Sequence, residues 1–290
     1  MANLICDTNV FYNLGLGKMK PGDFAVAGDK LFYSPVSILE ISGKMTDLEF
    51  EQRKAAAKAI LDFGAVQLVD PESHLTELFG LKLAEKPFDW SQAVKGVAQA
   101  ADLKALAAGV ADFAERVLRK VSVDEAGKWR CVTEQQWKDD MLGLMESEIP
   151  KFGPWYRLPK EQRDKQRKPH LTGETKKEFI KGTTTHDWLI TFVNACFERS
   201  LFKADLPDEP PPGFASAYVK AAEGVTCYCM VYTHYLIKLL TEEMMPQLND
   251  SGDLELFLYS VSNDWIVVTA EKRWADVAGR AGYPQRLRRV

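Results

Sequence analysis

The chain has 290 residues, 46% of them hydrophobic and 27% charged, enough to bury a core in one large domain or two smaller ones. A formal net charge of −4 gives no whole-chain signature of nucleic-acid binding, so basic residues matter only where they cluster. The five cysteines, Cys6, Cys131, Cys196, Cys227 and Cys229, contain no C-x-x-C pair, which argues against a disulfide framework and a structural zinc site and for reduced, buried thiols.

The opening Met-Ala-Asn-Leu-Ile-Cys-Asp has no basic region followed by a long apolar run, so no signal peptide is expected. The most apolar later stretch, Trp188 to Phe197, is about half as long as a membrane span. The chain reads as soluble and cytoplasmic, with no membrane partner.

Asn3 to Asp7 is a short apolar run that stops abruptly at an acid, the pattern of a buried strand with Asp7 at its carboxyl end. Leu31 to Tyr33 is a second strand. Ser34 and Pro35 then supply an N-cap and a first helical position, and the helix they open carries Glu40. Leu48 to Phe63 is an amphipathic helix and Val66 to Val69 a third strand. Strands alternating with helices in this way predict a parallel α/β sheet.

From Asp70 the pattern changes. Helical periodicity marks Asp102 to Val121, Glu134 to Ile149, Thr185 to Phe202 and Ala215 to Leu240. A polar, basic stretch from Lys151 to Gly182 and a proline-rich loop at 207–213 interrupt them. The α/β pattern returns with a helix opening at Gly252 and Asp253, a strand from Trp265 to Thr269, and a tail from Arg280 to Arg289 with four arginines. The expected division is an α/β frame from residues 1–70 and 246–290, interrupted by a mostly helical insertion at 71–245.

Acids at the carboxyl ends of parallel strands, or at the starts of the following helices, share one sheet edge, where open α/β sheets place their sites. Asp7, Glu40, Asp253 and Glu271 fit such positions, with Asp250 beside them. Carboxylates gathered there repel one another and call for a cation, and all-oxygen ligation points to Mg²⁺ or Mn²⁺. Each acid also has a plainer reading. Asp7 suits a helix N-cap, Glu40 an ion pair with Lys44, and Asp253 an N3 position behind an Asp250 cap. Glu271 suits a surface turn beside Lys272 and Arg273.

These residues resemble the PIN-domain nuclease family. Leu4-Ile-Cys-Asp-Thr-Asn-Val10 is similar to the family's opening motif, and Ser34-Pro-Val-Ser-Ile-Leu-Glu40 to its second. Asn249 to Tyr259 resembles the third motif and Val267-Val-Thr-Ala-Glu-Lys-Arg-Trp274 the last, sixteen residues separating Asp253 from Thr269. Glu271 departs from the usual aspartate by one methylene, and the inserted segment is larger than usual. The resemblance implies a PIN-like parallel sheet flanked by helices and a metal-dependent ribonuclease. Asp7, Glu40 and Asp253 would be metal ligands, with Asp250 and Glu271 as ligands or support, and Thr8, Asn9 and Thr269 would orient the carboxylates. It also admits a toxin role, hence an antitoxin or another protein partner, and leaves a homodimer open.

Arg157 to Lys181 holds nine Lys or Arg against four Asp or Glu, with Trp155 and Tyr156 just before it. Cations beside aromatic rings suit single-stranded RNA, so Arg163, Lys165, Arg167 and Lys168 are expected RNA contacts, as are Lys272 and Arg273. A solvated loop is the alternative reading of that segment. His186 and Asp187 read as a helix start, with Asp187 as N-cap, rather than a catalytic dyad. Tyr228, Met230, Tyr232 and Tyr235 read as core. The rival to the nuclease is a catalytically silent scaffold for RNA binding or protein assembly. Convergence of the acids on one point separates the two.

Overall fold

A computed structural model describes residues 1–42, 47–102, 120–123, 129–132, 134–149, 153–166, 171–206, 209–242 and 244–290. Five parallel strands form the central sheet: β1 (Asn3–Cys6), β2 (Lys30–Tyr33), β3 (Val66–Gln67), β6 (Trp265–Thr269) and β7 (Leu287–Arg289). Their order is β3-β2-β1-β6-β7, so β1 lies at the centre, with Cys6 opposite Val268 of β6. The fold is α/β, as the alternating pattern predicts, and both chain ends build the sheet. A separate antiparallel pair, β4 (Lys120–Val123) and β5 (Trp129–Val132), lies far from it in sequence.

Period-two alternation sorts the side chains of the central strands onto two buried faces. Leu4, Cys6 and Val268 belong to one apolar cluster. It is covered by α1 (Thr8–Gly15), α2 (Pro35–Ser42), α3 (Asp47–Asp62) and α5 (Ser91–Gln99). Helices α1 and α3 approach so closely that a Cβ on Gly15 would run into the Ala55 carbonyl, which leaves room only for glycine there.

Ile5 and Val267 belong to the other face's cluster. Its helices are α4 (Pro71–Leu78), α6 (Glu134–Glu148), α9 (His186–Ser200), the 28-residue α10 (Phe214–Thr241), α11 (Asp250–Leu256) and α12 (Lys272–Arg280). Two further helices, α7 (Lys160–Lys165) and α8 (Gly173–Thr183), precede α9. Tyr228 and Tyr235 are buried in this cluster, and Met230 and Tyr232 pack against it, as expected. The segment 71–245 thus shares the frame's own core on both faces: α5 joins one and α4, α9 and α10 the other. Among the described residues no helix is long and apolar enough to cross a membrane.

Short polar side chains start the helices where the sequence places them, with adjustments. Asp7 has extended backbone and accepts from the Asn9 amide at the start of α1. Ser34 accepts from the Ser37 amide ahead of Pro35. Asp70 and Pro71 do the same for α4, a helix the periodicity misses. Thr185, not Asp187, caps α9, because its hydroxyl sits three residues before the free Trp188 amide. Helix α11 begins at Asp250 itself, after Asn249. Asp253 is therefore one residue beyond the expected N3 position, and its amide is already paired inside the turn with Asn249. Of the stretch from Asp102 to Val121 expected to be helical, residues 103–119 lie outside the described residues, and Lys120 and Val121 belong to strand β4. The tail adds an unforeseen edge strand: Leu287, Arg288 and Arg289 pair with Val267, Val268 and Thr269.

Candidate functional site

In this strand order the chain direction across the sheet reverses between β1 and β6. The crevice outside their carboxyl ends is the topological switch point, where open α/β sheets hold ligands. Asp7 stands immediately past β1, and its amide donates to the Val268 carbonyl of β6. Thr269, the last residue of β6, donates its hydroxyl to Asp7 Oδ2 at 2.9 Å and accepts from the Glu271 amide at 3.1 Å. One buried threonine therefore joins both sides of the crevice. Thr8, also buried, and Asn9 begin α1 beside it.

Asp7 is only 3% exposed and Asp253 5%. Burial raises the Asp7 carboxyl above the ordinary aspartate value. The Thr269 hydroxyl and the Asn9 amide oppose that, and the charge of Glu271 adds to it. Burial also holds Asp253 well above its ordinary value, reinforced by the negative charges of Asp7, Glu40 and Glu271. Asp253 thus feels the charges of the other three acids named from the sequence, which come from the end of β1, from α2 and from the approach to α12. Glu40 is half-buried on α2, and the Lys44 suggested as its partner lies outside the described residues.

Asp250 and Asp253 are held from an unexpected direction. Asp250 is fully buried, with Oδ2 accepting from the Tyr235 hydroxyl at 2.7 Å and the Gln247 amide at 2.8 Å. Burial raises its carboxyl, with these two donors and Arg273 opposing. Trp274 Nε1 donates to Asp253 Oδ2 at 3.0 Å, and the Trp274 ring stacks on that of Tyr235. Nothing in the sequence pattern links Tyr235 on α10 to an acid fifteen residues later.

Arg273 lies among the acids rather than facing solvent. Its guanidinium donates to Glu271 Oε2 at 2.5 Å and Asp253 Oδ2 at 3.2 Å and forms an ion pair with Asp250. It also lies 5.0 Å from the centre of the Trp274 ring. Burial alone would lower its pKa, but the charges of Asp250, Glu271 and Asp253 hold it above the ordinary value. Among the described residues, no group of three or more His, Cys, Asp or Glu side chains stands ready to hold a metal ion. Three of the candidate acids surround a side-chain cation instead. The donor set is all oxygen, the chemistry of Mg²⁺ or Mn²⁺, but its arrangement is fitted to Arg273.

No family model, curated protein or solved structure matches this chain.

The basic residues divide. Lys272 is exposed at the start of α12, next to the acids, and Lys165 is exposed on α7. Arg163 lies 5.9 Å from the Trp155 ring. Arg167 and Lys168 lie outside the described residues. Trp155 and Tyr156 are buried with the core cluster, so they do not offer open faces for base stacking. His186 and Asp187 are both exposed at the start of α9.

Proposed function

We propose that this chain is a metal-dependent ribonuclease with a PIN-like frame made by its two ends and a helical insertion between them. The observation that carries this reading is the placement of Asp7 at the switch point. It is tied by Thr269 to the neighbouring strand and is electrostatically coupled to Asp253 and Glu271. Asp7, Glu40 and Asp253 would hold Mg²⁺ or Mn²⁺, with Glu271 and Asp250 as further ligands or support. The bound cation would make its water a better nucleophile and stabilise the oxygens of the phosphodiester under attack.

The chain's own groups supply orientation. Thr269 and Asn9 fix the two oxygens of Asp7, and Trp274 fixes Asp253, so the carboxylates need little reorganisation during reaction. Lys272 stands exposed beside them, where a cation suits a phosphate backbone. Single-stranded RNA is the proposed substrate, and by family resemblance its products would carry 5′-phosphate and 3′-hydroxyl ends. A toxin role with an antitoxin partner belongs to the same resemblance.

The test is Asp7→Asn. Asparagine is as good an N-cap as aspartate, so the fold is kept while a ligand charge is removed. Cleavage of single-stranded RNA in Mn²⁺ should fall at least about a hundredfold, about 2.7 kcal/mol of barrier. Full-rate cleavage by the pure variant would remove the site assignment.

A second reading, the catalytically silent scaffold for RNA or a protein partner, is favoured by the Arg273 ion pairs, which balance charge without a metal. Parent protein that binds RNA yet leaves it intact with Mg²⁺ or Mn²⁺ would establish that reading instead.

A further inference from the structure

We infer that Arg289 and Lys272 form a phosphate-binding pair at the carboxyl edge of the sheet, so that single-stranded RNA crosses β7 and the end of β6 to reach Asp7. This rests on the RNA reading above and gives the substrate its path. Parallel pairing sets Arg289 level with Thr269, and the Val290 amide donates to the Thr269 carbonyl at 3.0 Å. Paired residues of parallel strands share a face, as do alternate residues of one strand. Leu287 packs against the cluster that holds Ile5 and Val267, so Arg289, two residues on, stands on that side of the sheet. Helix α12 covers the same side through Trp274, Val277 and Ala278, and its first residue is Lys272. An edge strand and a helix start thus bring two cations to the corner where Thr269 holds Asp7.

The other arginines of this last segment are engaged. Arg273 is held by Asp250, Asp253 and Glu271, and Arg280 by Glu242 and Asp276. Arg286 donates to the Ser260 carbonyl at 3.2 Å, and Arg288, on the opposite face, donates to the Phe24 carbonyl and pairs with Asp29. Arg289 and Lys272 are exposed, and among the described residues neither side chain has an ion pair or hydrogen bond. Beneath them Asp7, Asp250 and Asp253 are buried, and Arg273 balances part of their charge. Two unmatched cations at the surface suit a phosphate backbone, which releases counterions as it binds them. A charge on an edge strand also keeps other chains from pairing with it, but that role alone predicts no effect on RNA.

The test is binding of a fluorescent oligouridine to the full chain at several salt concentrations, with chelator present to keep the oligomer intact. Arg289→Gln and Lys272→Gln should each reduce the slope of log affinity against log salt by about 0.7, which is about fivefold in affinity at 0.1 M salt. Arg289→Lys should restore the parent's slope, since a point charge suffices for a phosphate. Lys82→Gln, which removes an exposed lysine matched by Asp205, should leave the slope unchanged. Parent affinity and slope in both glutamine variants would overturn the path, as would an equal loss in Lys82→Gln or a parent that does not bind the oligomer. Cleavage by Asp7→Asn judges the nuclease reading separately: the path can fail while Asp7 proves essential. It can also hold in a protein that binds RNA and leaves it uncut.

Discussion

At the scale of single residues, burial sets the chemistry of this chain, because it penalises every charge that lacks a partner. His74 on α4 shows this away from the candidate site. Its Nε2 pairs with the Leu258 carbonyl at 3.2 Å and its ring lies against Tyr259. Burial lowers its pKa from 6.5 to about 4 despite that hydrogen bond. The folded state therefore keeps it neutral, while the unfolded chain takes up a proton near pH 6.5. Between these values the unfolded state binds more protons, so stability falls as pH falls, by up to about 3 kcal/mol from this residue. Denaturant unfolding of the parent and His74→Gln at several pH values measures it. Their stability difference should be constant above pH 7 and shift towards the variant by that amount near pH 4; a difference that stays flat would show that His74 is not held neutral. Asp7 and Thr269 were legible in the sequence because a strand that ends on a polar residue fixes its place at the sheet edge. The inward turn of Arg273 was not, since its anchors on α10 and α11 meet it only through tertiary packing.

At the scale of elements, one buried arginine ties three helices together. Arg199 of α9 donates through Nε and a terminal nitrogen to Glu72 Oε1 of α4, at 2.8 and 2.6 Å. The same terminal nitrogen reaches Glu255 Oε1 of α11 at 2.8 Å. Burial opposes its charge, but the two carboxylates hold its pKa well above the ordinary value. Removing the cation leaves two largely buried acids, 15% and 12% exposed, with no counter-charge, which costs far more than the intact cluster contributes. Arg199→Met should therefore lower stability by about 3–5 kcal/mol, and adding Glu72→Gln and Glu255→Gln should restore much of it. Chemical denaturation of the three proteins tests this; a single variant as stable as the parent would show that the cluster is solvated. The apolar periodicity of α9 and α10 made both helices visible in the sequence. Their attachment was invisible, because Glu72 and Glu255 lie 127 and 56 residues from Arg199. Helices α4 and α5 escaped notice because at eight and nine residues they carry too few turns for a periodic signal.

At the scale of the whole molecule, the segment 71–245 does not stand apart from the sheet. Ile5 of β1 and Val267 of β6 share a core cluster with Val193, Val225, Tyr235 and Leu239 of α9 and α10. Polar links cross the same boundary: Tyr235 to Asp250, His74 to the Leu258 carbonyl, and Arg199 to Glu255. Sequence periodicity marks where a helix begins and which of its faces is apolar, but not which sheet receives that face, so the division into frame and insertion says nothing of shared packing. If α10 unfolded alone, one face of the central strands would be exposed along with the buried Asp250. That opening would cost nearly as much as global unfolding. Hydrogen exchange followed by mass spectrometry on the intact protein should therefore give peptides from β1, β6 and α10 the same limiting protection. Rising denaturant should lower all three along one line. Protection of α10 that fell well below that of β1, at every denaturant concentration, would mark the segment as a unit that opens by itself.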